Sequence, residues 1–267
     1  MIGRTWLRIL ALSLALLGAI YSDATLFAAD EPAKPADLPP PKVLMSHPPA
    51  IFSGATTRVV LRGTRLDEIE KAQVTAPGVE VVKIMKTEKN PPPQEYSVER
   101  AGDTRVEVEL KLTDEAPVKF PLTVVDKQGK STTWDVAVLR KEAALGETEP
   151  NDGFKQSQLL KLGQTVLGEI HEAKNVDVYK IEPQAGKRTI IEVRAAGSRS
   201  LFDACATLHD ADGRPLAFYD DVRSADSEAV CRWELPAGDG VRYLAIYDAN
   251  DRGGPTQGYL LRLEVRP

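Results

Sequence analysis

Apolar and polar residues alternate over much of the chain. From Arg105 to Leu112, Val106, Val108, Leu110 and Leu112 fall on one side, and Arg105, Glu107, Glu109 and Lys111 on the other. This period of two is the pattern of a strand with one buried face. Residues 57–61, 79–85, 120–125 and 132–139 behave similarly, with Asp126-Lys127-Gln128-Gly129 as a turn between the last two. A second set of strands is predicted at 165–170, 176–181, 188–194, 202–208, 216–219, 230–235, 243–247 and 258–265. The last alternates cleanly, Tyr259, Leu261, Leu263 and Val265 against Leu260, Arg262 and Glu264. No helical pattern of ten residues interrupts them. The fold class is therefore all-β, with two β-sandwich domains: Ig-like over 42–140 and jelly-roll-like over 147–266.

Breaks in this pattern set the organisation. Residues 30–41 carry five prolines in twelve positions, a composition that favours an extended spacer, assigned to 25–41. Residues 141–152 (KEAALGETEPND) are polar and acidic and read as a linker. At the start, Arg4 and Arg8 precede an apolar run over 9–20, and Ser22-Asp23-Ala24 offers small residues for cleavage, so 1–24 is expected to be a signal peptide. A retained anchor is the alternative, but its apolar core falls short of the ~20 residues that cross a bilayer. The expected location is secreted, periplasmic or cell-surface, with no membrane span after cleavage.

Composition changes the picture mainly by exclusion. The 267 residues carry a formal charge of −5, and an acidic chain lacks the basic footprint for nucleic acid. His47, His171 and His209 show no HExxH-type spacing, and there is no GxSxG elbow or glycine-rich phosphate loop, so no enzymatic activity is expected.

Several motifs occur in a recognisable order: Glu147-Thr148-Glu149-Pro150-Asn151-Asp152, Gly168-Glu169-Ile170, Asn175-Val176-Asp177-Val178-Tyr179, Leu201-Phe202-Asp203, Leu208-His209-Asp210-Ala211-Asp212-Gly213, Asp220-Asp221, Leu235-Pro236-Ala237-Gly238 and Gly258-Tyr259. In that order and spacing, residues 147–266 resemble the bacterial pre-peptidase C-terminal (PPC) domain, similar in fold to clostridial collagenase collagen-binding domains. The preceding region resembles the Ig-like (IPT/TIG-type) domains that accompany it in planctomycete exported proteins. The resemblance implies a non-catalytic binding or adhesion accessory whose partner is an extracellular protein or polysaccharide. An envelope scaffold or spacer, or a protease-associated module or inhibitor, are the alternatives.

Hard cations need several oxygen ligands at once. Glu147, Glu149, Asn151 and Asp152 place four oxygen-bearing side chains in six residues, and in an extended segment Glu147, Glu149 and Asn151 share a side. The resemblance implies that they hold Ca2+ together with Asn175 and Asp177; otherwise ETEPND is a solvated linker. Asp220 and Asp221 read as part of a solvated acidic face. Cys205 and Cys231 either pair as a disulfide or fill small sites on a sandwich, and their parity opposes pairing if Ala206 and Leu208 face the core. Trp134, Trp233, Tyr219 and Tyr247 could form a ligand platform, although aromatics on alternating strands are more often core.

Overall fold

The computed structural model describes residues 38–266 except Glu95, 195–199, 221–229 and 236–239, and for Val230, Cys231 and Trp233 only the backbone. The expected leader and most of the proline-rich spacer lie outside the described residues. The first half comprises β1 (Lys42–His47), β2 (Ala50–Phe52), β3 (Thr56–Thr64), β4 (Ile69–Gln73), β5 (Val79–Lys89), α1 (Val98–Ala101), β6 (Thr104–Leu112), β7 (Lys119–Asp126) and β8 (Ser131–Leu139). The second half comprises β9 (Ala144–Gly146), β10 (Gln158–Leu160), β11 (Thr165–Glu169), β12 (Asp177–Ile181), β13 (Arg188–Arg194), β14 (Ala204–His209), β15 (Pro215–Tyr219), β16 (Val230–Glu234), β17 (Arg242–Asp248) and β18 (Gly258–Arg266).

Alternation decides which faces meet. β1-β3-β6-β5 forms one sheet and β2-β8-β7-β4 another. Val106, Val108 and Leu110 from the first pack with Phe120, Leu122 and Val136 from the second in a single apolar core. The second sandwich pairs β16-β13-β18-β11-β9 with β10-β12-β17-β14-β15. Its core is built from Ile191, Val193, Leu261 and Leu263 on one sheet and Tyr179, Ile181, Ala206, Leu208, Leu244 and Ile246 on the other. The all-β expectation is met: among the described residues the longest helix is the four-residue α1, and no helix is long and apolar enough to cross a membrane.

Some elements escape the alternation signal because they are too short to display it. β9, β10 and β2 have three residues each. β9 lies inside the segment read as a linker: Ala144 is buried, and Ala144–Gly146 pair in parallel with Thr165–Leu167 of β11. The chain is thus gripped by the second sandwich before the acidic motif begins.

The sandwiches meet at a small joint within one compact unit. Met45 and Ala101 pack on Leu201, with Tyr96 against them. The Tyr96 hydroxyl donates to the Leu201 carbonyl at 3.3 Å, and the Arg252 guanidinium stacks 5.1 Å from the Tyr96 ring centroid. His47 Nε2 lies 3.5 Å from a Glu169 carboxylate oxygen across the same joint.

Candidate functional site

Glu147 and Glu149 follow β9 directly. Their segment is held in place by Glu147 N donating to Leu167 O of β11 (3.0 Å) and Val178 N of β12 donating to Asn151 O (2.9 Å). This brings carboxylate oxygens of Glu147, Glu149 and Asp177 within 4.8 Å of one another. Asn151, fully buried, joins them: its Nδ2 donates to Glu147 Oε1 (3.0 Å) and its backbone N to Glu149 Oε2 (2.9 Å). Glu169 N donates to the other Glu147 oxygen at 2.7 Å. Asn175 and Asp152 form a bonded pair beside the cluster, Asn175 Nδ2 donating to Asp152 Oδ1 at 2.8 Å. Of the six candidate ligands, three are therefore gathered by their carboxylates, Asn151 is bonded into the group, and Asn175 and Asp152 bond to each other.

The floor of the site was not anticipated. The Tyr259 hydroxyl donates to Asp177 Oδ2 at 2.5 Å and lies 2.7 Å from the Tyr179 hydroxyl, both rings being fully buried. Gly168 stands opposite Tyr259 in the β11–β18 ladder, and a Cβ there would lie 2.4 Å from the ring. Only glycine lets the tyrosine reach Asp177. The sequence signal was present as Gly168 and the Gly258-Tyr259 pair, but strand parity marks Tyr259 as core and says nothing of its hydroxyl.

The electrostatics are those of buried negative charge. Burial, then the neighbouring Glu149 charge, pushes the Glu147 carboxyl up to about 7 against the hydrogen bonds from Glu169 N and Asn151. Burial and the charge of Glu147 push Asp177 up to about 9. The same burial and the adjacent carboxylates raise Tyr179 and Tyr259. Three buried oxygens here have no hydrogen-bond partner: Asn151 Oδ1, Asn175 Oδ1 and Asp177 Oδ1. Buried polar atoms are ordinarily satisfied. A donor set of carboxylate and amide oxygens, with unsatisfied acceptors and raised carboxyls, fits a hard divalent cation. His171 Nδ1 sits 3.1 Å from Glu149 Oε1 at the exposed rim.

Cys205 is buried but lies outside the apolar core that takes Ala204, Ala206 and Leu208, and its thiol donates to Asp220 Oδ1 at 3.2 Å. The backbone of Cys231 pairs with Val193 in the opposite sheet. Its side chain, with Trp233 and Asp221, lies outside the description.

The outer face of β12-β17-β14-β15 is a second feature. Register places Phe218 beside Thr207 and Ala245, and Tyr243 beside His209, on the side away from the core. Phe154 packs against His209 and Tyr243 with ring centroids 5.1 and 4.9 Å apart. Tyr247 is bonded to Thr207 through the hydroxyls at 3.1 Å. Phe218 is 61% exposed and Leu216 on the same strand 45%. Among the proposed platform aromatics, Trp134 is core and Tyr219 packs against the second core, leaving Tyr247 on the outer face. Tyr243, Phe218 and Phe154 were missed, although Tyr243 and Tyr247 flank the core-facing Leu244 and Ile246 with opposite parity.

No family model matches the chain. Over 154 residues it is 24% identical to Collagenase ColQ1 of Bacillus cereus (strain Q1), a match covering 56% of this chain and 16% of the collagenase. Among solved structures, it is similar to the pre-peptidase C-terminal domain of a Bacillus anthracis collagenase, with 17% identity, a TM-score of 0.30, and coverage of 44% of this chain and 99% of that one. It is also similar to SGBP-B of the Bacteroides ovatus mixed-linkage glucan utilization locus, solved with a mixed-linkage heptasaccharide, with 8% identity, a TM-score of 0.26, and coverage of 85% and 74%.

Proposed function

We propose that this protein is a non-catalytic extracellular binding module whose ligand face is the outer side of β12-β17-β14-β15. The observation that supports this most directly is the aromatic surface formed by exposed Phe218 and Phe154 with half-buried Tyr243 and Tyr247, and Leu216 beside it. Exposed aromatic groups of this size on one sheet face mark ligand surfaces, because rings offer large contact area at little entropic cost. The ligand is an extended extracellular polymer, protein or polysaccharide. The collagenase relative makes collagen-type peptides the first protein to test, and the leader pattern over 1–24 supports export.

Ca2+ at Glu147, Glu149 and Asp177, with Asn151 and the Asp152–Asn175 pair as supporting ligands, would neutralise the cluster and fix the acidic segment on the second sandwich. It would supply charge and rigidity, not a reaction step. The unsatisfied oxygens of Asn151, Asn175 and Asp177 support this reading.

The test is an array of collagen-type peptides and β-glucans probed with the full chain. Phe218→Ala and Tyr243→Ala are expected to weaken binding by tenfold or more each without a loss of folding, while Arg188→Ala on the opposite face leaves it unchanged. Binding indifferent to both aromatic substitutions would overturn the assignment of the face. Terbium luminescence at the carboxylate cluster, lost in Asp177→Asn, tests the cation separately.

A further inference from the structure

A cavity of about 470 Å3 lies at the joint, between β1, β3 and the β5–α1 loop of the first sandwich and the β17–β18 loop of the second. Met45, His47, Arg62 and Tyr96 line it from one side, and Arg252 and Gln257 from the other. Its volume is in the range of small-ligand sites.

The polar groups facing it are unevenly satisfied. Arg62 is 7% exposed, and its Nε and Nη2 donate to the carbonyls of Ala101, Asn90, Pro91 and Gly102 at 2.5–3.1 Å. Its Nη1 makes no hydrogen bond, and no carboxylate forms an ion pair with it among the described residues. Buried cations are normally paired, so this one is a standing attraction for an anion. Two other arginines in the lining are already neutralised: Arg105 by Glu88 and Glu107, and Arg252 by Asp248 and Asp203. Asp251, the carboxylate in the lining, is exposed and pairs with no arginine among the described residues.

The second sandwich contributes an acceptor. Gln257 is 2% exposed and its Oε1 has no partner. His47 Nδ1 is likewise buried and unpartnered, while its Nε2 faces Glu169. With the proton on Nε2 toward the carboxylate, Nδ1 is an acceptor as well. A carboxylate alone cannot donate to either atom, whereas a hydroxyl can. Met45, Tyr96 and the nearby Pro93 and Pro255 supply apolar walls for the face of a ring.

We propose that this cavity binds a hydroxylated carboxylate of hexuronate size, its carboxylate on Arg62 and its hydroxyls donating to Gln257 Oε1 and His47 Nδ1. This site is separate from the aromatic face and from the carboxylate cluster, and a ligand seated in it bridges the two sandwiches.

The test is isothermal titration of the full chain with D-galacturonate and D-glucuronate, against D-galactose, D-glucose and acetate. A uronate is expected to bind at least tenfold more tightly than its neutral hexose and than acetate. Gln257→Glu, which replaces the acceptor amide with a like charge, is expected to abolish binding. Arg105→Gln, which removes a cation from the cavity lining and leaves Glu88 to Lys86 and Glu107 to Arg58, is expected to weaken it about tenfold; this partly exposed position keeps the test open if the buried variant misfolds. Equal affinity for uronate and neutral hexose, equal affinity for acetate, binding that survives both substitutions, or no binding of any of these probes would each overturn the proposal.

Discussion

Two of the places where the second sandwich buries a carboxylate treat it oppositely. On the outer side of β13, Glu192 is 4% exposed, yet it receives Arg194 Nε and Arg232 Nε, each at 2.6 Å. Burial alone would raise its pKa, but the two arginines outweigh burial and hold the carboxyl below its ordinary value. At the end of β12, Asp177 is fully buried beside Glu147 and Glu149 with no arginine or lysine bonded to it among the described residues, and its carboxyl is pushed up. Burial is common to both, so the sign of the shift is decided by the presence of a cation. The arginine-bound site is complete as it stands. The other is the one to which the proposed cation would supply the missing positive charge.

The contrast predicts opposite responses to pH. Glu147 and Asp177 have folded pKa values of about 7 and about 9, above their ordinary 4.5 and 3.8. In EDTA, therefore, stability is greatest below those ordinary values and is lost as pH rises through about 7 and then about 9. Most of that loss falls between pH 5 and pH 8, and it is the largest effect expected here. Glu192 acts in the other direction: its contribution is present above 4.5 and disappears as pH falls through its depressed folded value. Denaturant melts at pH 5 and 8 in EDTA and in calcium separate the two, because calcium should cancel the alkaline loss and leave the acid limb untouched. Alkaline stability in EDTA equal to that in calcium would contradict the comparison.

Next in size is the cation itself. At 100 times its Kd, calcium is expected to stabilise the folded chain by about 2.7 kcal/mol, raising Tm by roughly 5–10 °C. Asp177→Asn should remove that increment, and calorimetry with and without calcium reads it directly. Tyr259→Phe takes the donor from Asp177 and the partner from Tyr179, and should cost about 2 kcal/mol at neutral pH. The smallest effect belongs to the arginine-bound site. Glu192→Gln leaves Arg194 and Arg232 free to turn to water, since their side chains are 43% and 54% exposed, and should cost about 1 kcal/mol with no calcium dependence.

What the sequence made legible follows from the length of each signal. β6 and β18 carry nine residues of alternation, and both were read correctly in face and extent. β9 and β10 are too short for a period to appear, so their membership in sheets depends on partners far along the chain. At the site, the acidic motif and Asp177 were visible because oxygen ligands cluster locally in the chain. The meeting of Glu147 with Asp177 is tertiary, set by the β9–β11 register. Tyr259 was classed as core by its parity, correctly, while its hydroxyl chemistry depends on the absent side chain at Gly168. The aromatic face was hidden because Tyr243, Phe218 and Phe154 come from two separate strands and a loop.

The short grip of β9 on β11 bears on how the molecule would be cut. Beyond Gly146, the chain from Glu147 to Asp152 is anchored through its carboxylates and by backbone bonds at Glu147 and Asn151. An endoprotease must draw several residues into an extended conformation to cleave, and here that requires pulling the glutamates off the cluster. A cation at that point would turn the acidic stretch, which lies beyond β9 and so already within the second sandwich, into a substrate that opens rarely. Its removal would expose Glu149 and its neighbours to glutamate-specific cleavage, which would cut β9 from the rest of its own sandwich, and the half-life of the intact chain under protease would then report calcium concentration.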